Sequence, residues 1–343
     1  MKVLSIGGTG FIGRFAVRDL VEMGHEVTVF HRGTSAVAGA DSISGDRREL
    51  ERHAEMLRGV RPEVVIDFLI SNQRQAEELV ARLGTQVRIV MPSSCDVYRT
   101  AGILHGTEPG EPDSALITED SAVRTRLHPY PPDVLQMVRA VYPWLEEDYD
   151  KIPAERVVMS AGGTVLRLPM IYGPGDPLHR FYPIVKRVDD GRAAMVLDES
   201  TAQWRGIRGY VEDAAWAIAL GATEARAAGQ VYNVGDPENF TELDWRRQIA
   251  EAAGWSGRFV VLPDECAPTY LKARGNLRQH WAVDSSRIRR ELGYRERVPR
   301  VEALGRTIEW ELANPPQQIN PAEYDYPAED AAINAAPAVR ALR

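Results

Sequence analysis

The sequence has few cysteines and no long hydrophobic segment. Only two cysteines occur among 343 residues, which excludes a disulfide framework or a zinc site built from cysteines. No apolar run approaches the length of about 18 residues that suggests a membrane span, and the first residues lead into a strand pattern without signal-peptide features. The histidines lack ligand spacing such as His-x-x-x-His, so we expect no metal site. We expect a cytoplasmic protein.

The chain also lacks an excess of positive charge. It carries 49 acidic against 41 basic side chains, a net charge of −8. Proteins that bind nucleic acid usually have the opposite balance, so nucleic acid is a disfavoured partner. The length suits one large domain or two coupled domains. A chain of this length can bury a hydrophobic core that needs no disulfide or metal ion to stabilise it.

The first forty residues follow the pattern strand, glycine turn, helix, strand. An apolar run at 3–6 ends in Gly7-Gly8-Thr9-Gly10-Phe11-Ile12-Gly13, a helical pattern follows, and a second strand pattern covers 26–30. This order within about thirty residues is the βαβ unit that binds dinucleotides. Gly7 permits the tight turn, Gly10 the approach of a pyrophosphate, and Gly13 close packing of the helix. The predicted cofactor contacts here are Gly7, Gly10, Phe11, Ile12 and Gly13.

The glycine spacing resembles that of the extended short-chain dehydrogenase/reductases, the NAD(P)-dependent epimerase/dehydratase family. Later segments match family motifs in order: 166–174 resembles Leu-Arg-Pro…Tyr-Gly-Pro, 210–215 resembles Tyr-Val-x-Asp-x-Ala, and 284–294 resembles the C-terminal motif. The resemblance runs from residue 1 to about 312. It implies an enzyme, although the chain departs from the family pattern at the catalytic residues.

The resemblance predicts an α/β fold, a doubly wound parallel Rossmann sheet with a smaller, interleaved C-terminal substrate-binding lobe. Continuous apolar runs such as 64–69 and 87–91 fit strands covered on both faces. We expect residues 1–169 to form the NAD(P)-binding domain, with 209–236 returning to it. Residues 170–208 and 237–312 would form the substrate lobe, and the Ala- and Pro-rich residues 313–343 an extended tail.

The end of the second strand bears on the choice of cofactor. NAD-using members of the family place an acidic residue there, whereas this chain has His31-Arg32-Gly33. Arg32 is suited to a 2′-phosphate, which favours NADP, with NAD as the alternative. The segment Gly45-Asp46-Arg47 resembles the family's Gly-Asp segment, whose Asp reads the adenine amino group, and Asp46 and Arg47 are both expected cofactor contacts. The resemblance also implies cofactor contacts from Phe68, Leu69, Lys151 and Pro169.

The catalytic serine of the family is readily placed. The stretch 92–98, Pro-Ser-Ser-Cys-Asp-Val-Tyr, resembles Ser-Ser-x-x-Val-Tyr and puts Ser94 at the catalytic position. The neighbouring Cys95 would face the substrate, although a buried, unreactive thiol is the simpler interpretation.

The family's Tyr-x-x-x-Lys pair is absent in its usual form. Anchoring on Tyr149 puts Pro153 at the lysine position, whereas anchoring on Lys151 puts Glu147 at the tyrosine position. The second alignment keeps Lys-x-x-x-Glu with Glu155. Pro153 disfavours a regular helix before it, so the helix is expected to kink or to begin nearby. Tyr149 and Glu147 both remain candidates for the acid/base group.

Residues 99–148 form an insertion between Ser94 and Lys151 that is longer than is common in the family. Long loops of this kind are often lids or binding loops. Tyr130 or His128 is a further candidate for the acid/base group, although aromatic side chains that merely pack the insertion are the alternative. Positively charged groups that suit a substrate diphosphate are expected at His179, Arg180, Arg205 and Arg208.

Three functions remain open. The first is hydride transfer, as in an epimerase, dehydratase or reductase, on a nucleotide-sugar or similar polyol or carbonyl substrate. The second is a non-redox, cofactor-binding sensor or an RNA-associated protein, with a basic patch at 278–290. The third is elimination or isomerisation with Glu147 as the base. A homodimer is possible, because the family often pairs the helix that carries the lysine.

Overall fold

The structure is a computed structural model that describes residues 1–33, 35–84, 86–130, 132–335 and 341–342. Its strands are β1 (Lys2–Ile6), β2 (Glu26–His31), β3 (Asp41–Ser44), β4 (Val64–Asp67), β5 (Arg88–Ser94), β6 (Thr164–Leu168), β7 (Met170–Tyr172), β8 (Ala194–Asp198), β9 (Arg208–Tyr210), β10 (Val231–Asn233), β11 (Arg258–Leu262) and β12 (Ala341–Leu342).

The α-helices connect these strands. They are α1 (Gly13–Glu22), α2 (Leu50–Gly59), α3 (Gln73–Leu83), α4 (Arg99–Leu104), α5 (Pro132–Val141), α6 (Lys151–Ser160), α7 (Tyr182–Asp189), α8 (Glu199–Gln203), α9 (Val211–Thr223), α10 (Glu242–Ala252), α11 (Ser286–Leu292), α12 (Arg300–Ala313) and α13 (Tyr326–Ala335).

Seven strands form one parallel sheet in the order β10-β6-β5-β4-β1-β2-β3. Successive residues of β1 point to opposite faces: Val3 joins a core cluster with α1 and α9, and Leu4 joins a second with α2, α3 and α6. This alternation is the period of two expected of a strand. Helices therefore cover both faces, and the predicted doubly wound Rossmann sheet is confirmed.

A smaller group of elements lies beyond the carboxyl ends of these strands. The strands β8 and β11 are parallel and β12 pairs antiparallel with β11, while β7 pairs with β9. The helix α9 carries apolar residues on all sides, and eleven of its thirteen residues are buried. It packs on α1, β5, β6 and β9, which explains why its sequence shows no polar face.

The tail does not run extended through residues 321–335, contrary to the sequence-based expectation. The helix α13 packs beside β8, where Glu329 is buried and pairs with Arg187 at 2.7 Å. The sequence of the tail contains few large apolar residues. Because a buried ion pair attaches the tail, no hydrophobic pattern in the sequence predicts the attachment. Residues 336–340 and 343 lie outside the described residues.

Candidate functional site

The glycine turn has the shape that a dinucleotide requires. Gly7 has φ +78°, and a Cβ at Gly13 would lie 2.8 Å from the Cα of Gly8. A Cβ at Gly10 would meet only the Gly7 carbonyl oxygen, at 3.7 Å, so this side of the turn is open. The helix α1 begins at Gly13 and presents its first N–H groups beside the turn. These features fit a pyrophosphate held against the backbone and the helix N-terminus.

The ends of β2 and β3 meet at the adenosine end of this site. Arg32 has a side chain 48% exposed, and its Nη1 lies 3.6 Å from Asp46 Oδ2. Asp46 also accepts a hydrogen bond from the backbone N–H of Arg48 at 2.9 Å. His31 ends β2 and its ring is largely buried. The loop after β4 lies next to the turn, because a Cβ at Gly7 would approach the Leu69 side chain to 2.7 Å.

Arg47 is a correction to the predicted cofactor set. Its guanidinium donates to Asp67 Oδ2 at 2.7 Å and to the Gln75 carbonyl at 2.7 Å, and it pairs with Glu78 at 3.0 Å. Only 4% of its side chain is exposed. The side chain therefore joins β4 to α3 and is unavailable to a cofactor. Two other predicted contacts, Phe68 and Pro169, are partly exposed after β4 and β6.

The two adjacent serines at the end of β5 differ in how much of the side chain is exposed. Ser93 is buried, and its hydroxyl donates to Glu155 Oε1 at 2.5 Å, in a cluster that also contains Arg167. Ser94 is partly exposed, and its Oγ accepts the N–H of Asp96 at 3.2 Å. Ser94 is thus the serine that a substrate can reach. The thiol of Cys95 is fully buried, and burial raises its pKa, so it is an unreactive thiol that a substrate does not reach.

Lys151 is the first residue of α6 and its amine is buried. Its Nζ donates to the carbonyl oxygens of Ile70 at 2.5 Å and Pro92 at 3.3 Å. Burial lowers its pKa to about 8, against the opposing effect of carboxylates that include Asp96. The Trp144 ring centroid lies 5.9 Å from Nζ.

Two tyrosines converge on one carboxylate beside Ser94. The hydroxyl of Tyr130 donates to Asp96 Oδ2 at 2.9 Å, and that of Tyr149 donates to the same oxygen at 3.2 Å. The two rings stack with centroids 5.6 Å apart. Burial, reinforced by the Asp96 charge, raises the pKa of both phenols well above 10. The structure therefore brings Tyr130 and Tyr149 together, although only Tyr149 lies next to Lys151 in sequence.

Sequence reasoning missed Asp96 and the residues that hold the loop around it. Arg124 donates through Nε to the Asp96 carbonyl oxygen at 2.7 Å, and its Nη2 lies 3.6 Å from Asp150. Asp150 caps α6 by accepting the Ile152 N–H at 2.9 Å, and it also accepts the His128 N–H at 2.6 Å. The sequence feature that could have pointed to Asp96 is the presence of an acidic residue two positions after Ser94.

Glu147 is a second correction. It lies before α6 rather than one turn along it, its side chain is 85% exposed, and it pairs with Arg139 at 3.0 Å. The helix begins only at Lys151 because Asp150 caps it, so the four-residue spacing does not place Glu147 beside Lys151. Glu147 lacks the burial that a base with a raised pKa requires.

The four predicted substrate residues all have protein partners. His179 Nδ1 lies 2.7 Å from Glu311, and Arg180 pairs with Asp176 at 2.6 Å. Arg208 pairs with Glu242, and Arg205 donates to the Asn239 carbonyl at 2.6 Å. Their roles toward a substrate remain predictions.

Within the described residues, no group of three or more His, Cys, Asp or Glu side chains has the arrangement of a metal site. In the same part of the chain, no helix combines the length and hydrophobicity needed to cross a membrane.

The parallel sheet and the glycine turn are those expected of the extended short-chain dehydrogenase/reductases, the class that the sequence motifs resemble. Residues 3–105 match the NAD dependent epimerase/dehydratase family, which confirms the resemblance expected from the motifs. The enzyme class predicted from the sequence is supported as well, by this match and by a relative named for dehydratase activity.

Individual relatives differ in what they are named for. The chain is 26% identical over 328 residues to the chloroplast stem-loop binding protein of 41 kDa b of Arabidopsis thaliana, covering 88% of this chain and 77% of the relative. It is 24% identical to dTDP-glucose 4,6-dehydratase of Salmonella typhimurium, covering 92% and 93%. The crystal structure of dTDP-glucose 4,6-dehydratase from Bacillus anthracis with NAD aligns with TM-score 0.65 at 17% identity, covering 92% of this chain and 97% of that one.

Proposed function

We propose that this protein is a nicotinamide-dependent enzyme that acts on a nucleotide sugar or a similar polyol or carbonyl compound, with Asp96, Tyr130 and Tyr149 as its acid/base centre. The observation that carries the proposal is the convergence of two phenols on one carboxylate beside Ser94 and Lys151. The motif order and the relatives named for dTDP-glucose support the substrate class.

The residues around the glycine turn fit the cofactor, which when bound supplies hydride transfer at its nicotinamide ring. Lys151, charged below about pH 8, holds the ribose beside the ring. Ser94 donates to the reacting oxygen of the substrate. Both roles follow from their positions at the carboxyl ends of β5 and the start of α6, where ligands of open α/β sheets bind.

Asp96 is the proton acceptor in this proposal. Both phenols stay protonated at neutral pH because their pKa values are raised, so neither acts as a free phenolate. As a phenol takes a proton from the substrate, it releases its own to Asp96 Oδ2. Oδ2, which accepts both hydroxyls, then carries the proton until it returns to the phenol. The pair of tyrosines then acts as a relay.

The test uses NMR of dTDP- and UDP-sugars in deuterated water with NAD or NADP present. We expect epimerised or dehydrated product, with solvent deuterium at a sugar carbon only in the dehydrated one, because hydride transfer returns the same hydrogen to carbon. Asp96→Asn should lower kcat by about 10²–10⁴ with unchanged cofactor affinity. Tyr130→Phe and Tyr149→Phe should each cost less than both together. Glu147→Gln is the matched control and should keep normal turnover. Full activity of Asp96→Asn would refute the assignment.

We further propose NADP as the preferred form of the cofactor. The support is Arg32, which is half exposed at the end of β2, where the residues 31–33 include no carboxylate. The nearby Asp46 partly neutralises its charge, so the expected preference is moderate. Replacing Arg32 with Asp should weaken NADPH binding about tenfold or more and leave NADH affinity unchanged or improved, measured by fluorescence titration. An equal loss of affinity for NADPH and NADH would contradict the proposed preference for NADP.

An RNA-associated function is the second candidate, favoured by the relative named for stem-loop binding. The ion pairs in the predicted basic patch argue against RNA binding, because three arginines of the patch have acidic partners. Arg287 pairs with Asp120, Arg289 with Glu296 and Arg290 with Glu291. RNA binding that weakens steeply with salt, together with no exchange on any sugar nucleotide, would favour this candidate.

A homodimer through α3 and α6 is also proposed. A groove of about 620 Å³ runs along these helices, with Val80, Pro153 and Val157 among its apolar lining residues. Light scattering should show a dimer, and Val157→Arg should yield monomers. A monomeric wild-type protein would exclude this surface as an interface.

A further inference from the structure

We propose that residues 132–148, here called the cap segment, close over the dinucleotide site and control release of the bound cofactor. The proposal rests on the proposed cofactor function. The cap segment is the second half of the insertion between Ser94 and Lys151, whose first half carries Tyr130. Its contacts reach the adenosine end, the nicotinamide end and the substrate side of the site.

The carboxyl end of the cap segment is fixed to the N-terminus of α3. Glu146 accepts hydrogen bonds from Asn72 and Gln75, each at 3.0 Å, and pairs with Arg74. Asn72 also donates to Asp148 at 2.6 Å. Burial raises the pKa of Glu146, but the hydrogen bonds from Arg74, Asn72 and Gln75 outweigh burial and hold this pKa below its ordinary value. The carboxylate is therefore charged at neutral pH. Acidic groups at a helix N-terminus gain from the helix dipole.

A second anchor lies at the adenosine end. Arg48 Nη2 donates to the carbonyl oxygen of Pro143 at 2.6 Å. Arg48 is two residues from Asp46, which pairs with Arg32, the proposed 2′-phosphate contact. The chain from Pro143 to Asp148 therefore extends from the loop after β3 to the start of α3, the helix that follows β4.

The middle of the cap segment reaches the other two parts of the site. The Trp144 ring lies 5.9 Å from the amine of Lys151, the proposed ribose contact. Tyr142 lies close to Arg180, a predicted substrate residue: burial raises the pKa of this phenol, and the Arg180 charge opposes the rise. The cap segment thus contacts the adenosine end, the nicotinamide end and the substrate side of the proposed site. We infer that it must move for a dinucleotide to enter or leave.

The amino-terminal part of the cap segment has little support of its own. None of the ten residues of α5, all of which the structure describes, is buried, and Met137 is 57% exposed. Leu145 and Tyr149, by contrast, are buried. Elements with few buried contacts open with low free energy, so α5 is the part expected to swing away once the anchors at Arg48 and Glu146 release.

The test measures the rate at which NADPH leaves the protein. NADPH-loaded full-length protein is mixed with excess NADP⁺ in a stopped-flow instrument, and the decay of NADPH fluorescence gives the dissociation rate. Arg48→Ala and Glu146→Ala should each release NADPH several-fold faster, and the double variant at least tenfold faster. Arg52→Ala and Glu77→Ala are the matched controls, because Arg52 pairs with Glu49 and Glu77 with Gln73, outside the cap segment.

The outcomes separate the two proposals. Dissociation rates for the double variant within twofold of the wild-type rate would overturn the cap while leaving the cofactor site intact. Failure of the wild-type protein to bind NADPH or NADH would overturn both. Limited proteolysis provides a check independent of the variants: bound NADPH should slow cleavage within 132–142, and equal cleavage with and without NADPH would also count against the cap.

Discussion

Burial decides what each charged side chain near the cofactor site can do. Arg32 and Arg47 flank the same end of the sheet and are the same residue type. Arg32 is half exposed and its single ion pair is loose, at 3.6 Å, whereas Arg47 is buried with three partners. The first is free to bind an anion, and the second holds β4 to α3. Exposure, more than residue identity, separates a ligand contact from a structural contact.

Replacement of Arg47 should therefore affect stability more than binding. Arg47→Ala leaves the buried carboxylate of Asp67 without its cation, so we expect the free energy of unfolding to fall by about 3–5 kcal/mol. Urea denaturation followed by circular dichroism measures the loss. Arg48→Ala, next in the chain but exposed, should change stability by less than about 1 kcal/mol. Equal stabilities of the two variants would contradict this assignment.

Asp236 provides a pH-dependent test at the same scale. It is 6% exposed, its Oδ2 has no hydrogen-bond partner in the described part of the chain, and Arg300 lies 4.0 Å away. Burial raises its pKa to about 7, against the opposing charge of Arg300. Between the unfolded pKa of about 4 and pH 7 the folded state keeps a proton that the unfolded state loses. This group therefore lowers stability as pH rises through that window.

Asp236→Asn, which imitates the protonated acid, should remove this loss. We expect the variant to exceed the wild-type free energy of unfolding by about 3–4 kcal/mol at pH 8 and by only about 1 kcal/mol near pH 5, which is still well below the folded pKa. Urea denaturation at the two pH values measures the difference. Glu238→Gln, an exposed partner of Arg300, is the control and should show no comparable gain. A gain that is equal at both pH values would mean that titration of Asp236 is not its cause.

In two helices a buried carboxylate sets a local feature, the first residue of α6 and the attachment of α13 to α7. The Asp150 cap begins α6 at Lys151, which leaves Tyr149 outside the helix and free to turn toward Asp96. Glu329 attaches α13 to α7 through Arg187, with Tyr270 as a further donor at 3.2 Å. Neither feature follows from hydrophobic periodicity.

Removing the Glu329 carboxylate should loosen the tail. Glu329→Ala leaves Arg187 buried without its partner, and we expect thermal and urea denaturation to show a loss of about 3–5 kcal/mol. The neighbouring Asp330→Asn, whose side chain is 54% exposed, should cost less than about 1 kcal/mol. If both variants are as stable as the wild type, α13 does not contribute to the folded core.

At the scale of the whole molecule, one hydrophobic cluster runs through both predicted lobes. It includes Val3 of β1, eight residues of α9, Trp245 of α10 and Ile308 of α12. Because α9 contributes to the packing of both parts, neither can lose its structure without exposing the core of the other. The lobes are therefore expected to unfold together, although their boundaries remain a prediction.

Denaturation by urea should show one transition. Tryptophan fluorescence and far-UV circular dichroism should give the same midpoint, and NADPH at one hundred times its dissociation constant should raise the free energy of unfolding by about 2.7 kcal/mol. The rise tests whether the cofactor binds the folded state alone. Two separated transitions would show that the lobes are independent units.

The sequence by itself determined the parts that depend on local pattern. The glycine turn, the strands with continuous apolar runs, Ser94 at the end of β5 and Lys151 at the start of α6 were all visible, because strand period, turn chemistry and motif order act over a few residues. These features also predicted the position of the cofactor site and the class of enzyme.

Only the tertiary structure decided which groups share the proposed catalytic cluster. Tyr130 and Asp96 are 34 residues apart, and no local period relates them. The four-residue rule failed for Glu147 because it holds only within a helix, and the helix begins after that residue. Arg47 and the tail were misjudged for a related reason: burial and ion pairing are set by long-range packing, which the sequence around a residue does not encode.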